Sequence, residues 1–239
     1  MLLKVEDLVK IYGKRRVVNG VSFDVKEGEI VGLLGRNGAG KTTSFKMTIG
    51  MITPTEGKVW IKDKEITLFP MYLRARAGMG YLSQETSVFR ELTVEENLLA
   101  IMETLKTDQS QNKEKTHRLL EEYNLIKLAK QKARTLSGGE MRRLEICRTL
   151  ITSPCIILLD EPFSGVDPIA VNEIQEILKK LKSQNIGILL TDHNVRETLA
   201  VTNRSYIIDE GCILCSGTPQ EIMSNPMARK RYLGEKFNL

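Results

Sequence analysis

One stretch limits the possible folds of this chain more than any other: Gly35-Arg36-Asn37-Gly38-Ala39-Gly40-Lys41-Thr42-Thr43. It follows Ile30-Val31-Gly32-Leu33-Leu34, an apolar run that reads as a buried strand. It leads into Ser44-Phe45-Lys46-Met47, which holds no breaker and continues as helix. Strand, glycine-rich loop and helix are the setting that the G-x-x-x-x-G-K-[ST] pattern requires. The glycines let the backbone curl so that its N–H groups converge on phosphate oxygens, and the helix N-terminus adds partial positive charge. In that pattern Lys41 reaches the β- and γ-phosphates and the Thr42 hydroxyl binds Mg²⁺. The stretch points to a nucleoside triphosphate site.

A second feature lies well downstream. Ile156-Ile157-Leu158-Leu159-Asp160-Glu161 is an apolar parallel-type strand that ends in two carboxylates. Ligands of open αβ sheets bind at the carboxyl ends of strands. Asp160 is thus placed to hold Mg²⁺ directly or through water, and Glu161 to deprotonate an attacking water. Pro162-Phe163 directly after them weakens the alternative, a pair of acids capping the next helix. Ser164-Gly165-Val166-Asp167-Pro168 is a turn, followed by an amphipathic helix with Val171, Ile174, Leu178 and Leu181 on one side.

Between these two regions the composition shifts toward helix. Thr93 and Glu96 have the spacing of a capping box, with Leu98, Met102 and Leu105 following on one helical face. Lys106 to Lys115 reads as an exposed loop or a frayed helix end, and a second helical pattern runs from His117 through Leu120 to Tyr123. Residues 86–154 therefore read as a mostly helical insert. It closes with Leu136-Ser137-Gly138-Gly139-Glu140, where Ser137 and Glu140 repeat the capping-box spacing. Two glycines at a helix start cost stability unless something must approach the backbone closely, and free N–H groups there suit a second phosphate contact.

The remaining elements are plainer. Val21, Phe23 and Val25 alternate with polar neighbours, as in a half-buried antiparallel strand. Tyr12 reads as a packed edge-strand aromatic and Gln84 as a surface amide after a short strand, Gly80 to Gln84. His193 follows another buried strand, Ile186 to Leu190, and is as compatible with a structural role as with a ligand contact. Ser205–Asp209 and Cys212–Cys215 flank Glu210-Gly211 as a hairpin, and Thr218-Pro219-Gln220-Glu221 is a strong helix start.

Composition excludes several functions. The 239 residues hold 35 basic and 30 acidic side chains, a net charge of +5 that does not argue for nucleic acid. The longest apolar runs fall far short of the roughly 18 residues of a membrane span, and no secretory signal pattern opens the chain. A cytosolic protein is expected, with any membrane work involving another chain. Of the four cysteines, Cys147 and Cys155 sit in apolar surroundings and read as core. Cys212 and Cys215 lie three apart on a strand and point to opposite faces, which argues against zinc.

Taken together, these motifs resemble, over the whole chain, the nucleotide-binding subunits of ATP-binding cassette (ABC) proteins. Gly35–Thr42 matches the Walker A motif, Leu136–Glu140 the signature, and Ile156–Asp160 with Glu161 the Walker B strand and its catalytic base. Gln84 matches the Q-loop, Ser164–Asp167 the D-loop, His193 the switch histidine and Tyr12 the adenine-stacking aromatic. The resemblance implies an α/β P-loop NTPase fold. Residues 1–85 and 155–215 would form a RecA-like core with an N-terminal antiparallel β subdomain. Residues 86–154 would form the inserted α-helical subdomain that carries the signature, and 216–239 a C-terminal helical tail. It also implies ATP with Mg²⁺, the metal held by Thr42, Gln84 and Asp160.

A homodimer is implied as well, each ATP lying between Walker A of one subunit and Ser137, Gly138, Gly139 and Glu140 of the other. Two transmembrane permease subunits would dock on the helical insert. Within the family the similarity is greatest to the ATPases of lipopolysaccharide exporters of Gram-negative bacteria. It is carried by Arg74-Ala75-Arg76, Gly80–Gln84 with Ser87-Val88-Phe89-Arg90, Thr191–Val201 and Tyr232-Leu233-Gly234-Glu235. Lipopolysaccharide would then be handled by the complex and not bound by this subunit, and Phe89 and Arg90 would seat the membrane partner, beside Arg74 and Arg76. The departures are Arg36 and Ser83, where proline is commoner, and Met141 in place of arginine or glutamine. The ATPase of an amino-acid importer is the nearest rival. DNA-repair ABC ATPases carry long coiled coils and ribosome-acting ones carry two cassettes per chain, neither of which is found here.

Overall fold

A computed structural model describes residues 1–105, 108–234 and 237. The chain opens with an antiparallel hairpin, β1 (Leu3–Tyr12) and β2 (Arg15–Val25), and then β3 (Ile30–Gly35) runs into α1 (Lys41–Ile49). Next come β4 (Glu56–Ile61), β5 (Lys64–Glu65), α2 (Met71–Arg76) and β6 (Met79–Leu82). The helices α3 (Val94–Glu103), α4 (Gln109–Glu122) and α5 (Gly138–Leu150) follow without an intervening strand. The sheet resumes with β7 (Ile156–Asp160), α6 (Pro168–Ser183), β8 (Gly187–Thr191), α7 (Val195–Val201), β9 (Arg204–Asp209) and β10 (Cys212–Gly217). Two short helices, α8 (Pro219–Ser224) and α9 (Pro226–Ala228), lead into a π-helical turn at Arg229–Leu233.

The strands form two sheets. One is antiparallel, in the order β2-β1-β4-β5; the other has six strands in the order β10-β9-β3-β8-β7-β6. In the second sheet β9, β3, β8, β7 and β6 run parallel and only β10 is antiparallel. The parallel strands β3, β7 and β8 are buried along their whole length, as both faces of that sheet are covered. One face is covered by the antiparallel sheet and α1, through Val5, Phe23 and Val59 of the sheet and Phe45 of the helix against Val31, Leu158 and Leu189. The other is covered by the helices, in a continuous core that joins Leu98, Met102 and Leu120 to Leu159, Ile174 and Leu190. A third, small core ties Leu34 at the end of β3 to Leu199 of α7, Ile222 and Ala228.

Local signals explain most element ends. Capping boxes are formed by Thr93 with Glu96, Ser137 with Glu140 and Thr218 with Glu221, and Asp167 caps α6 ahead of Pro168. The alternation in β2 buries Val21, Phe23 and Val25 as its pattern requires. Four expectations need correction. Leu105 does not continue the apolar face of α3: the helix stops at Glu103 and Leu105 is exposed. The polar stretch after it is not all loop, because Asp108 accepts a hydrogen bond from Ser110 N–H and starts α4 at Gln109; Lys106 and Thr107 lie outside the described residues. The strand before Gln84 ends at Leu82, which frees Gln84 from the sheet. Cys155 is only half-buried, at the edge of its core, unlike Cys147.

Arg74 is the clearest misreading. It was expected on the surface beside the docking segment, but it is 1% exposed. Its guanidinium donates to Phe69 O (2.8 Å), Met47 O (2.9 Å), Thr48 O (2.6 Å) and Thr67 O (2.7 Å). Met47 O also accepts from Gly50 N–H at 3.3 Å, but the carbonyls of this last turn of α1, Thr48 O among them, lack their full helical partnering. Arg74 supplies it, and burial pulls its pKa down to about 10. Of the pair, Arg76 alone is on the surface, 5.9 Å from the Tyr72 ring.

Candidate nucleotide site

The site is built where the parallel strands end. β3 ends at Gly35 and gives way to the glycine-rich loop. Gly38 and Gly40 take positive φ (78° and 99°), and a Cβ at Gly40 would lie 2.7 Å from Val17 O. A concave surface lined by Val17, Arg36, Asn37, Gly38, Gly40, Lys41, Thr42, Thr43 and His193 encloses about 400 Å³. Ala39 points away into the core, and its carbonyl accepts from Gly211 N–H at 2.8 Å. The loop is thereby held from behind by the β9–β10 turn.

β7 and β8 are paired in register, Asp160 beside Thr191, so the residues after each strand meet. Glu161 holds a left-handed backbone (φ 50°) that is fixed by its N–H donating to Thr191 O at 2.7 Å. Such a conformation costs a non-glycine residue about 1–3 kcal/mol and clusters at functional sites. It aims the carboxylate at two donors. Gln84 Nε2 donates to Oε2 at 2.8 Å, and His193 Nε2 lies 2.6 Å from Oε1. His193 Nδ1 is 3.4 Å from Lys41 Nζ. Lys41 can only donate, so one consistent proton assignment has Nδ1 accepting from Lys41 and Nε2–H donating to Glu161. Gln84, Glu161, His193 and Lys41 thus form a single chain of contacts.

The electrostatics are uneven. Lys41 is 3% exposed, and burial lowers its pKa against the opposing pull of Glu161, Asp192 and Asp160. Asp160 is raised, first by burial and then by Glu161. Asp192 is raised mainly by burial, although the N–H groups of Asn194, Phe163 and His193 oppose it. Three carboxylates, Asp160, Glu161 and Asp192, against the two ammoniums of Lys41 and Lys46 leave excess negative charge, which a divalent cation bound there would offset. The donor set fits Mg²⁺ in particular. Among the described residues no cluster of three or more His, Cys, Asp or Glu forms a metal cage. Mg²⁺ in such sites takes one or two protein oxygens together with phosphate oxygens and waters.

Ser137, Gly138, Gly139 and Glu140 start α5, and Gly138 and Gly139 line one cavity of about 240 Å³ together with Gln84 and Glu161. Ser137 and Glu140 satisfy each other (2.8 Å from Ser137 N–H to Glu140 Oε2). Among the described residues the N–H groups of Gly138 and Gly139 have no acceptor. A Cβ at Gly138 would meet nothing within 4 Å, and its φ is not positive. Nothing inside the chain requires glycine there. Tyr12 ends β1 at 49% exposure with Lys10 Nζ 5.2 Å from its ring, so it is not packed as an edge-strand aromatic.

These motifs match a known family. The profile of the ABC transporter family covers residues 18–164. The chain belongs to the ABC transporter family. Among relatives of this ABC chain, it is 50% identical over 238 residues to the lipopolysaccharide export system ATP-binding protein LptB of Acidithiobacillus ferridurans, covering 100% of this chain and 99% of that one. Its fold matches MJ1267, an ATP-binding cassette of an ABC transporter in its ADP conformation. The TM-score is 0.87 at 30% identity, over 98% of this chain and 99% of that one. MJ0796, an ATP-binding cassette seen as a dimer bound to ADP and Pi after hydrolysis, matches with TM-score 0.76 at 25% identity, over 91% and 99%. The chain is accordingly an ATP-hydrolysing ABC subunit.

Several residues around this ABC site escaped the sequence. Asp192 is fully buried and accepts from Phe163 N–H (2.7 Å) and Asn194 N–H (2.8 Å), tying the ends of β7 and β8 together. Its position just past a strand end was a usable signal. The Tyr81 hydroxyl faces Asp160 and opposes the upward pull of burial on its carboxyl. Arg142, Glu145, Arg148 and Asn97 hold the segment after β6; the signal was charge on the otherwise apolar buried side of α5.

Proposed function

We propose that this chain is the ATPase of a transporter that extracts lipopolysaccharide from the inner membrane for export to the outer membrane. The end-to-end similarity to LptB at 50% identity carries the reading. No helix among the described residues is long and apolar enough to cross a membrane. The subunit then works peripherally on the cytoplasmic face, as a homodimer bound to two transmembrane subunits, with no direct contact to lipopolysaccharide or nucleic acid.

In this reading the N–H groups from Gly35 to Thr43 and Lys41 bind the phosphates, and Tyr12 stacks on adenine. Thr42 and Asp160, with Gln84, would hold Mg²⁺, which neutralises charge on the β- and γ-phosphoryl oxygens. Glu161 takes the proton of the water whose oxygen attacks the γ-phosphorus, while the bond to the β–γ bridging oxygen breaks. His193 turns from Glu161 to the γ-phosphate. The unpaired N–H groups of Gly138 and Gly139, open to approach from outside, support a head-to-tail dimer in which they meet the partner's nucleotide. Stacking on an aromatic is worth about 1–3 kcal/mol per base. Tyr12→Ala therefore weakens ATP binding by a comparable amount and Tyr12→Phe does not, measured by nucleotide titration. Equal affinity in all three proteins would make Tyr12 a surface residue only.

Phe89 and Arg90 support the membrane contact. Phe89 is 49% exposed, with the Arg148 guanidinium 4.8 Å from its ring. Beside it a groove of about 230 Å³ is lined by Met71, Ala75, Tyr81, Arg148 and Thr152, among others. The exposed side chains Leu68 and Tyr72 extend the apolar area. An aromatic anchor flanked by arginine is the composition of an interface hot spot. Phe89→Asp is expected to abolish co-purification with the membrane subunits while ATP binding stays within twofold of wild type (roughly 0.4 kcal/mol). Depletion in cells should leave lipopolysaccharide in the inner membrane. Normal lipopolysaccharide delivery with failed amino-acid uptake would overturn the cargo assignment.

A further inference from the structure

Gln84 reaches Glu161 from a loop, not from the end of a strand, so its aim depends on what holds that loop. The signature helix α5 holds it on both sides. Arg142 Nη1 donates to Ser83 O at 3.3 Å, immediately before Gln84. Glu145 Oε1 accepts from Ser87 N–H at 2.9 Å, just after it. The two side chains are joined to each other, Arg142 Nη1 to Glu145 Oε2 at 2.9 Å, and are only 12% and 7% exposed. Between the two clamps Ser83 Oγ donates to Glu85 O at 2.6 Å and closes the turn that carries Gln84. One helical turn further along α5, Arg148 donates to Ser87 O and covers the Phe89 ring. From α3 the buried Asn97 accepts from Phe89 N–H (2.8 Å) and donates to Phe89 O (2.9 Å).

We propose that Glu145, through its ion pair with Arg142, is a positioning residue for ATP hydrolysis: it sets Gln84 against Glu161 and links that contact to the surface at Phe89. A buried ion pair is a poor device for stability alone, because desolvation offsets most of the attraction. Its value here is geometric. One carboxylate fixes the loop after Gln84, and the guanidinium that it holds fixes the loop before it. Both are rooted in the helix whose first turn carries Ser137, Gly138 and Gly139. A push on Phe89 therefore reaches α5 through Arg148, and reaches Glu161 through Glu145, Ser87 and Gln84. The second half of this statement rests on the docking role given to Phe89 above.

The test compares Glu145→Gln, which keeps an acceptor for Ser87 N–H and loses the ion pair, with Glu145→Asp, which keeps charge but shortens the reach. A misplacement near 1 Å costs catalysis about 10²-fold. The isolated subunit carrying Glu145→Gln should lose about 10- to 100-fold in kcat, with KM for ATP and Tm unchanged. Glu145→Asp should recover part of the loss. In the assembled transporter the stimulation of ATPase by the membrane subunits should be lost in both variants. Wild-type kcat in Glu145→Gln overturns the proposal, as does a fall matched by a lowered Tm and a reduced folded fraction. If the wild-type subunit itself gains nothing from its membrane partners, the docking reading of Phe89 fails, and kcat of the isolated subunit alone decides the role of Glu145.

Discussion

Replacing Glu161 with glutamine is expected to lower ATP turnover by roughly 10²–10⁴-fold while leaving MgATP binding intact. The geometry explains why the effect is large and confined to chemistry. Glu161 is held in a left-handed conformation at the end of β7, with its carboxylate accepting from both Gln84 and His193. The amide has the same shape and keeps one oxygen for one of these donors, so the fold and the phosphate loop are undisturbed. It cannot take a proton from water at neutral pH. Nucleotide should then remain trapped in a closed dimer, seen as an ATP-dependent shift in size-exclusion chromatography. Turnover at the wild-type level, measured at saturating ATP, would remove Glu161 from the role of base.

The second large effect concerns a residue whose side chain would have open space within the subunit. Gly138→Val should lower ATPase activity on the order of 10²-fold with no loss of thermal stability. Within the subunit the substitution is harmless, since an added Cβ meets no atom within 4 Å and φ is not positive. Valine is also a better helix former than glycine. The harm arises only when a second subunit brings its nucleotide against the first turn of α5, where branched carbons would stand between the N–H groups and the phosphate. Nucleotide binding by the isolated subunit should be unchanged. Full activity in Gly138→Val would mean that no ligand approaches this turn, and the head-to-tail arrangement would fail with it.

What the sequence revealed follows from distance along the chain. The phosphate loop and the Asp160-Glu161 strand end were legible because strand, loop and ligand groups are contiguous there. Gln84, Glu161 and His193 follow three separate strands, Gln84 from a loop, and meet only when β6, β7 and β8 pair in register. Their residue types alone left Gln84 a surface amide and His193 undecided, and only the resemblance to a family joined them. Arg74 was misread for a related reason. An arginine ordinarily faces water, and the burial of this one is decided by carbonyls of α1 some 26 and 27 residues away. Arg142 and Glu145 carried no motif at all; their partners are 58 and 59 residues distant.

The core that joins α3, α4 and α5 to one face of the six-stranded sheet has a mechanical consequence. Leu98, Met102, Leu120 and Leu144 share one packed cluster with Leu82, Leu159, Phe163 and Ile174. Opening the helices away from the sheet like a door would expose that apolar surface at about 25 cal/mol per Å², far more than a few hydrogen bonds at the ATP site return. Any rotation that accompanies nucleotide binding must instead be a shear, with side chains sliding by a fraction of their own width between alternative packings. Such a movement is small at the sheet and grows with distance from it. The surface around Phe89 and the first turn of α5 belong to the helical side of this packing, and they would move with it.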